Sequence, residues 1–308
     1  GRCPTQRLSL RRLDRPERIA PCPRPAPRPP LAARPRRLSV TAIGTLMRNP
    51  YGVYARHVLD LRPLDPIDAD PGAAERGGIL HAALAAYLDE AGDVPPEDAH
   101  ARLLALGEEA FGATLDRPGV RAFWWPRFER IAAWFLAKQA ELELGRQVAA
   151  VEAEGRLEIA APGGSFRLTA RADRIDRLPD GRLAVIDYKT GQAPSAPQVE
   201  AGLEPQLPLE AAIARQGGFA GLAAGEPAAL AYWRLTGGDP AGEVREVRGD
   251  AAALAEAALA GLGDLIAAFD DPATPYHAVT DPARAPRFDD YAHLARIAEW
   301  SAGGGGEE

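Results

Sequence analysis

The spacing of apolar and polar positions divides the chain into a helical part and a later part where strands and helices mix. Ser39 and Thr41 stand as N-caps before a helix running toward Arg48, and after the break at Pro50 an apolar period resumes over 51–61. Within 76–90, Ile79, Leu80, Ala83, Leu84, Tyr87 and Leu88 recur at helical spacing. Segments 96–112 and 120–144 predict two more helices, the second kinked or started at Pro126. From Gln147 the period shortens to two, and 148–160, 166–176 and 182–189 read as strands between Gly and Pro punctuation. A helix is predicted over 206–215 and strands over 228–236 and 243–248, joined by Gly237-Gly238-Asp239-Pro240. Asp250 then caps an amphipathic helix over 251–269. This order predicts an α/β domain over 38–301 built around one central sheet, with a helical N-terminal part.

Composition changes this picture mainly at the ends. Residues 1–37 mix Pro and Arg without a hydrophobic period and read as an extended or disordered spacer, with a basic nucleic-acid arm as the functional alternative. Residues 302–308 read as a flexible Gly-rich tail. The overall net charge is −7 although the first 37 residues are strongly basic, so the domain itself is acidic. That does not exclude a nucleic-acid partner, because net charge sets long-range steering and not the contents of a cleft. Cys3 and Cys22 suggest neither a disulfide framework nor a zinc site. No run approaches the ~20 apolar residues of a membrane span and no apolar leader is evident, so a cytoplasmic protein with no membrane partner is expected. The chain opens at Gly1, has Met47 as its only methionine, and reads as part of a longer protein. No Walker-type loop is present. Trp124, Trp125 and Trp134 fall in or beside one predicted helix, where core packing competes with stacking on bases.

The chemistry concentrates in the stretch from Ala170 to Gly191. Pro179-Asp180-Gly181 is a turn signal, since Pro fixes φ and Gly accepts positive φ, so the flanking strands should form an antiparallel hairpin. With the turn centred on Asp180, Asp173 faces Asp187. Two carboxylates so placed have Cβ atoms about 5 Å apart and repel, and a hard divalent cation, Mg²⁺ or Mn²⁺, offsets the repulsion. Strand alternation puts Asp187 and Lys189 on one face, while Tyr188 reaches a metal only through its backbone carbonyl. Asp173 and Asp176 point to opposite faces, which leaves Asp176 a bystander. Such a cluster suits phosphodiester hydrolysis, with metal ions lowering the pKa of a bound water and an ammonium orienting it. Lysine is rare, only Lys138 and Lys189 against many arginines, which singles out Lys189.

Asp173, a hairpin turn and Asp187-Tyr188-Lys189 resemble the PD-(D/E)XK nuclease signature, and V-I-D-Y-K-T-G is similar to the form in the RecB-like family. Gly77-Gly78-Ile79-Leu80-His81 resembles that family's G-x-x-H helix and Gln206-Leu207 its Q-L motif, over about 76–210. More narrowly, the stretches L-S-V-T-A-I, N-P-Y-G-V-Y-A-R-H and Y-A-H-L-A-R-I-A-E-W resemble the C-terminal part of AddB-type subunits of bacterial AddAB helicase-nucleases. The resemblance implies a restriction-endonuclease-like mixed sheet flanked by helices and Mg²⁺-dependent exonuclease activity in double-strand break repair, with a catalytically silent nuclease-like scaffold for subunit docking and DNA handling as the alternative. It also implies a single DNA strand delivered by an AddA-like helicase-nuclease partner. Asp173, Asp187, His81 and the Tyr188 carbonyl would hold metal, Lys189 would act on the water, and Gln206 would position the lysine or the DNA backbone. Glu152 or Glu154, if either, would supply a further carboxylate, and the sequence does not choose between them. Two departures stand out. Asn49 occupies the place of the first of four cysteines that hold an iron-sulfur cluster in many such nucleases, so no cluster is expected and ordinary packing must close the region around Asn49 and 285–291. Glu210 stands where Tyr is common after the Q-L motif.

Overall fold

A computed structural model describes residues 23–64, 72–91, 98–142, 145–279 and 289–301. The ends of the helices expected over 96–112 and 120–144 (96–97 and 143–144), most of the N-terminal spacer, the 302–308 tail and 285–288 lie outside these. The chain runs β1 (Arg37–Ser39), α1 (Val40–Arg48), α2 (Pro50–Val53) with a π-helical turn Tyr54–Val58, then α3 (Ala73–Ala91) and α4 (Ala99–Phe111). A second π-helical turn, Val120–Trp124, leads into α5 (Trp125–Ala140). The strands β2 (Gln147–Ile159), β3 (Phe166–Arg177) and β4 (Leu183–Lys189) follow, then α6 (Ala196–Glu200), α7 (Gln206–Arg215), β5 (Pro227–Leu235), β6 (Gly242–Glu246), α8 (Ala251–Asp270) and α9 (Ile297–Ser301). Ser39 caps α1 through Ala42 N at 3.1 Å, and Asp250 caps α8 through Ala252 N at 2.9 Å, each satisfying a backbone donor that the helix leaves free.

All six strands form one mixed sheet, as expected for a restriction-endonuclease-like α/β fold. β3 is its hub. One edge pairs antiparallel with β2, while the other is shared by parallel β1 at Arg167–Thr169 and antiparallel β4 at Arg174–Arg177. Between those partners the edge from Ala170 to Asp173 pairs with neither. β4 continues parallel to β5, and β5 antiparallel to β6.

The sheet has two apolar faces. Leu168, Ala172, Ile175, Val185, Leu230 and Tyr232 pack with α1, α7 and α8 on one side. Ile186, Tyr188, Ala231, Trp233 and Leu235 pack with α3, α4 and α5 on the other. Trp134 meets Trp233 edge-on at 5.7 Å, and Trp125 lies against Phe111 and Phe128, so these two tryptophans serve packing.

Three further features bear on the sequence reading. From Pro23 the Pro/Arg-rich stretch is extended and docked on the domain. Arg34, 4% exposed, donates to the carbonyls of Phe269, Asp271, Pro272 and Thr274 and so neutralises the carbonyl end of α8. Asn49, also buried, donates Nδ2 to Asp289 Oδ2 at 2.9 Å and accepts from Val279 N at 3.1 Å, joining α1 and α2 to the C-terminal segment by ordinary hydrogen bonds. Finally, α8 is 20 residues long and contains an 18-residue window of mean hydropathy 1.6, so one helix among the described residues does meet the length and composition of a bilayer span, contrary to the sequence reading. It carries Glu256 and Asp264, and Leu262 and Ile266 are buried in the core.

Candidate active site

The turn after β3 is tight. Leu178 N donates to Arg182 O at 2.8 Å, and Gly181 adopts φ +84°, the conformation that calls for glycine. The pairs Arg177↔Leu183, Asp176↔Ala184, Ile175↔Val185 and Arg174↔Ile186 centre the hairpin on Asp180. Asp173 and Asp187 are the next pair in this register, one step past the ladder. There Tyr188 N donates to the Asp173 carboxylate at 2.7 Å instead of to a strand carbonyl. On the opposite edge, Val151 pairs with Arg174 and Ala153 with Ala172, which sets Glu152 across from Asp173. Glu152 has φ +46°, a left-handed conformation that costs a non-glycine residue roughly 1–3 kcal/mol and gathers at functional sites. Both neighbours of β3 thus break their ladders at Asp173, and side chains fill the opening.

His81 enters this opening from α3. Its Nδ1 lies 3.2 Å from Asp173 Oδ1 and 3.6 Å from Glu152 Oε1, and its Nε2 lies 3.0 Å from the Tyr188 carbonyl oxygen. The ligand atoms of His81, Glu152 and Asp173 all lie within 4.8 Å of one another. Nε2–H can donate only to the carbonyl, which leaves Nδ1 facing the two carboxylates and fixes the ring as metal-bound histidines usually are. One imidazole nitrogen and two carboxylate oxygens suit a divalent ion such as Mg²⁺ or Mn²⁺. Without one, burial opposes a charge on His81, but hydrogen bonds and attraction from Asp173 and Glu152 outweigh it and push its pKa up to about 10. A proton there stands in for a cation. Arg171, largely exposed, adds a contact to Glu152 at 2.7 Å.

Asp187 belongs to a second cluster. Only 2% exposed, it has Lys189 Nζ at 2.9 Å from Oδ1 and 2.8 Å from Oδ2, but only the Oδ1 contact has hydrogen-bond geometry. Gln206, the first residue of α7, accepts from Lys189 Nζ at 3.1 Å and donates Nε2 to Asp187 Oδ1 at 2.5 Å. The same Nε2 reaches Glu210 Oε1 at 3.2 Å. Burial lifts the Asp187 pKa to about 6 against the attraction of Lys189, with help from Asp173. Glu210, 1% exposed, is raised well above the ordinary carboxylate range by burial and then by repulsion from Asp187 and Asp173.

The family model of the PD-(D/E)XK nuclease superfamily matches residues 37–282. The chain belongs to the PD-(D/E)XK nuclease superfamily. An uncharacterized protein of Rickettsia bellii is 31% identical over 185 residues, which is 60% of this chain and 22% of that protein. Another, from Rickettsia conorii, is 29% identical over 189 residues, 60% of this chain and 23% of its own length. The chain therefore matches under a quarter of these relatives. A solved structure, that of SSO0001, is similar over 60% of this chain and 74% of its own, with TM-score 0.25 and 14% identity.

Against the superfamily signature, Asp173 and Asp187-Tyr188-Lys189 stand at the opening in the sheet. His81 and Glu152 gather with Asp173, and Gln206 and Glu210 with Asp187. Glu154, the other acidic residue open in the sequence, is exposed on β2 and lines a neighbouring cavity. Asp176 lies apart. It is fully buried and paired with Arg174 Nε at 2.5 Å and Arg146 Nε at 2.6 Å. Arg174, 1% exposed, also donates to Gln139 Oε1 at 2.6 Å and stacks its guanidinium over Trp233. The left-handed conformation at Glu152 and the buried partner of Asp176 leave no readable mark in the sequence.

Proposed function

We propose that this protein is a Mg²⁺-dependent DNA nuclease domain that hydrolyses phosphodiester bonds exonucleolytically during double-strand break repair and recombination. The observation that carries this reading is the placement of His81, Glu152 and Asp173 beside Asp187, Lys189 and Gln206 at one opening in the sheet. His81, Glu152 and Asp173 would hold a divalent ion, which when bound would supply a water of lowered pKa and offset charge on the phosphate. The chain's own residues do the rest. Asp173 is locked by Tyr188 N, and the His81 ring by the Tyr188 carbonyl, so these ligands need little reordering. Lys189, pinned between Asp187 and Gln206, presents an ammonium that orients the attacking water and stabilises charge as the bond breaks.

A cavity of about 790 Å³ adjoins the cluster at Gln206 and Glu210 and carries Arg37, Arg156, Arg167 and Arg171 in its wall. Arginines there suit the phosphates of a nucleic-acid strand. The narrower role, as the nuclease part of an AddB-type subunit working with an AddA-like helicase-nuclease on a single strand, is supported by the motifs at 38–43, 49–57 and Tyr291–Trp300. The test is cleavage of end-labelled single-stranded DNA in Mg²⁺ or Mn²⁺ by the protein alone and mixed with an AddA-like subunit. Metal-dependent shortening that vanishes in Asp187→Ala and Lys189→Ala is expected. Absence of cleavage in every mixture, or cleavage undiminished in either variant, overturns the mechanism.

A further inference from the structure

Trp125 and Trp134 are used in packing, but Trp124 is not. It ends the π-helical turn Val120–Trp124, is half-buried, and meets no other aromatic ring among the described residues. Its partner is a cation, the Arg76 guanidinium, which lies over its ring at 5.9 Å from the centre. Phe123, beside it on the turn, is 70% exposed and is the one exposed Phe, Tyr or Trp among the described residues. The turn directs Val120 and Trp125 into the core and leaves Phe123 outside, and π-helical turns of this kind recur at functional sites. Arg127, in the first turn of α5, shares a shallow hollow with Arg76 and Trp124. Among the described residues neither arginine is in an ion pair, and burial and then repulsion from Arg127 lower the pKa of Arg76.

This surface adjoins the opening in the sheet. Arg76 precedes His81 by five residues on α3, about 7.5 Å along the helix axis. Gly77 packs against Thr190, the residue after Lys189. Leu235 and Thr236, at the end of β5, close the hollow, and Arg234 before them pairs with Lys189 between parallel β4 and β5. The surface therefore lies beyond the carboxyl ends of a parallel strand pair, where open α/β sheets bind ligands. The hollow, about 10 Å³, admits no more than a water, so a ligand lies across these groups and not within them. Exposed rings beside cations without ion-pair partners suit a chain that carries flat apolar faces and negative charge together.

We infer that Phe123, Trp124, Arg76 and Arg127 form a binding surface for single-stranded nucleic acid. Bases stack on Phe123 and Trp124, and phosphates meet the two guanidinium groups. A duplex keeps its base faces inside and offers none to these rings, so the surface selects single strands. The arginine-walled cavity at Gln206 and Glu210 belongs to the α1 and α7 side of the sheet and this surface to the α3 and α5 side, with the metal cluster between them. A strand running from one to the other passes the cluster. That passage, and the choice of DNA, rest on the proposed nuclease function, whereas the stacking itself does not.

The experiment is binding of fluorescein-labelled oligothymidylate to the whole chain in EDTA, read by anisotropy, so that cleavage plays no part. Phe123→Ala should weaken binding about 5- to 150-fold, the range for loss of one stacked base, with the melting temperature of wild type because the ring is exposed. Phe123→Tyr keeps a ring and should bind like wild type. Trp124→Leu keeps apolar bulk against the core and should weaken binding in the same sense as Phe123→Ala. Arg76→Gln and Arg127→Gln should each reduce the slope of log affinity against log salt by about 0.7, the share of one phosphate contact on a single strand. Affinity for a blunt duplex should be the same in wild type and Phe123→Ala. No binding by the wild type, or single-strand affinity unchanged in both Phe123→Ala and Trp124→Leu, overturns the inference. Loss of an AddA-like subunit from these variants with single-strand affinity intact also overturns it, and makes the surface a protein interface. Ring-dependent binding without metal-dependent cleavage would leave this surface standing and remove the nuclease reading; cleavage with binding indifferent to both rings would do the reverse.

Discussion

Two clusters of buried charge lie within a few residues of each other on β3, and they are built on opposite plans. At Asp176 one carboxylate meets two arginines, Arg174 and Arg146, and Gln139 takes a further guanidinium donor. Every charge has a partner. Around Asp173 and Asp187, four carboxylates, Glu152, Asp173, Asp187 and Glu210, share Lys189, a protonated His81 and the exposed Arg171. Here carboxylates outnumber cationic groups, two buried oxygens have no hydrogen bond, and Glu152 is held at φ +46°. A cluster whose charged groups are all paired is what a fold keeps for itself. The unbalanced one stores a deficit that a ligand can fill, and perturbed groups of this kind collect at functional sites.

This contrast predicts opposite responses to substitution. Asp187→Asn and Lys189→Met should each lower metal-dependent cleavage by at least about 10²–10³-fold, the loss typical when a group acting in the transition state is removed. The melting temperature of metal-free Asp187→Asn should be equal to or above that of wild type, since a repelling charge is gone. A marked fall in its melting temperature would assign Asp187 to the structural class. Arg174→Met should do the reverse of Asp187→Asn. It leaves Asp176 buried against Arg146 alone and should cost roughly 3–5 kcal/mol in denaturant unfolding. Arg174→Met combined with Asp176→Leu should recover much of that loss, because the buried carboxylate is gone and the remaining Arg146 is partly exposed to water. If the double variant is no more stable than the single one, the pair is not the balanced unit described above.

Much of this arrangement was legible in the sequence, for physical reasons that also explain what was not. Long helices and paired strands write a period over many residues, so α3, α5, α7 and the β3–β4 hairpin stand out, and Pro179-Asp180-Gly181 marks the register that sets Asp173 toward Asp187. Three-residue β1 and five-residue α6 and α9 are too short to write one. Glu152 could not be told from Glu154 because alternation assumes an unbroken strand, and the left-handed conformation at Glu152 breaks it at that residue. Arg174 and Asp176 are two apart on a strand, and only the packing of Trp233 and Gln139 over them makes them core, which no local spacing announces. Glu210 sits among Leu207, Leu209, Ala211 and Ile213 on a helix buried on every side, a setting that a helical period alone does not reveal.

Asn49 offers an uncharged reference for the comparison. It satisfies Asp289 and the Val279 N–H by two hydrogen bonds with no charge deficit to fill. Asn49→Ala should therefore cost about 1–3 kcal/mol through the buried N–H left unpaired, with no change in Mn²⁺ affinity. A change in metal binding would show that the clasp and the metal site are coupled.

The smallest expected effect separates the two clusters by pH. Around Asp176, ion pairs to arginine stay intact from neutral to alkaline pH, since guanidinium does not titrate there. His81 behaves otherwise. Its pKa, raised from the usual 6.5 to about 10 in the folded protein, contributes stability that is fully present below about 6.5 and is lost as pH rises through 10. Asp187, raised to about 6, acts in the same direction at lower pH: the relative stability of its neutral form is lost as pH climbs from the ordinary carboxylate range through 6. Metal-free protein should thus lose stability steadily between pH 6.5 and 10, and His81→Gln should flatten that slope. Divalent metal inverts the trend, because Nδ1 must release its proton before it can ligate, so the gain in melting temperature from Mg²⁺ should be larger at pH 8.5 than at pH 6.5. Melting curves across this range, with and without Mg²⁺, provide the measurement. A wild-type profile as flat as that of His81→Gln would mean that no proton occupies the place of the cation, and the two clusters would then differ less than their geometry indicates.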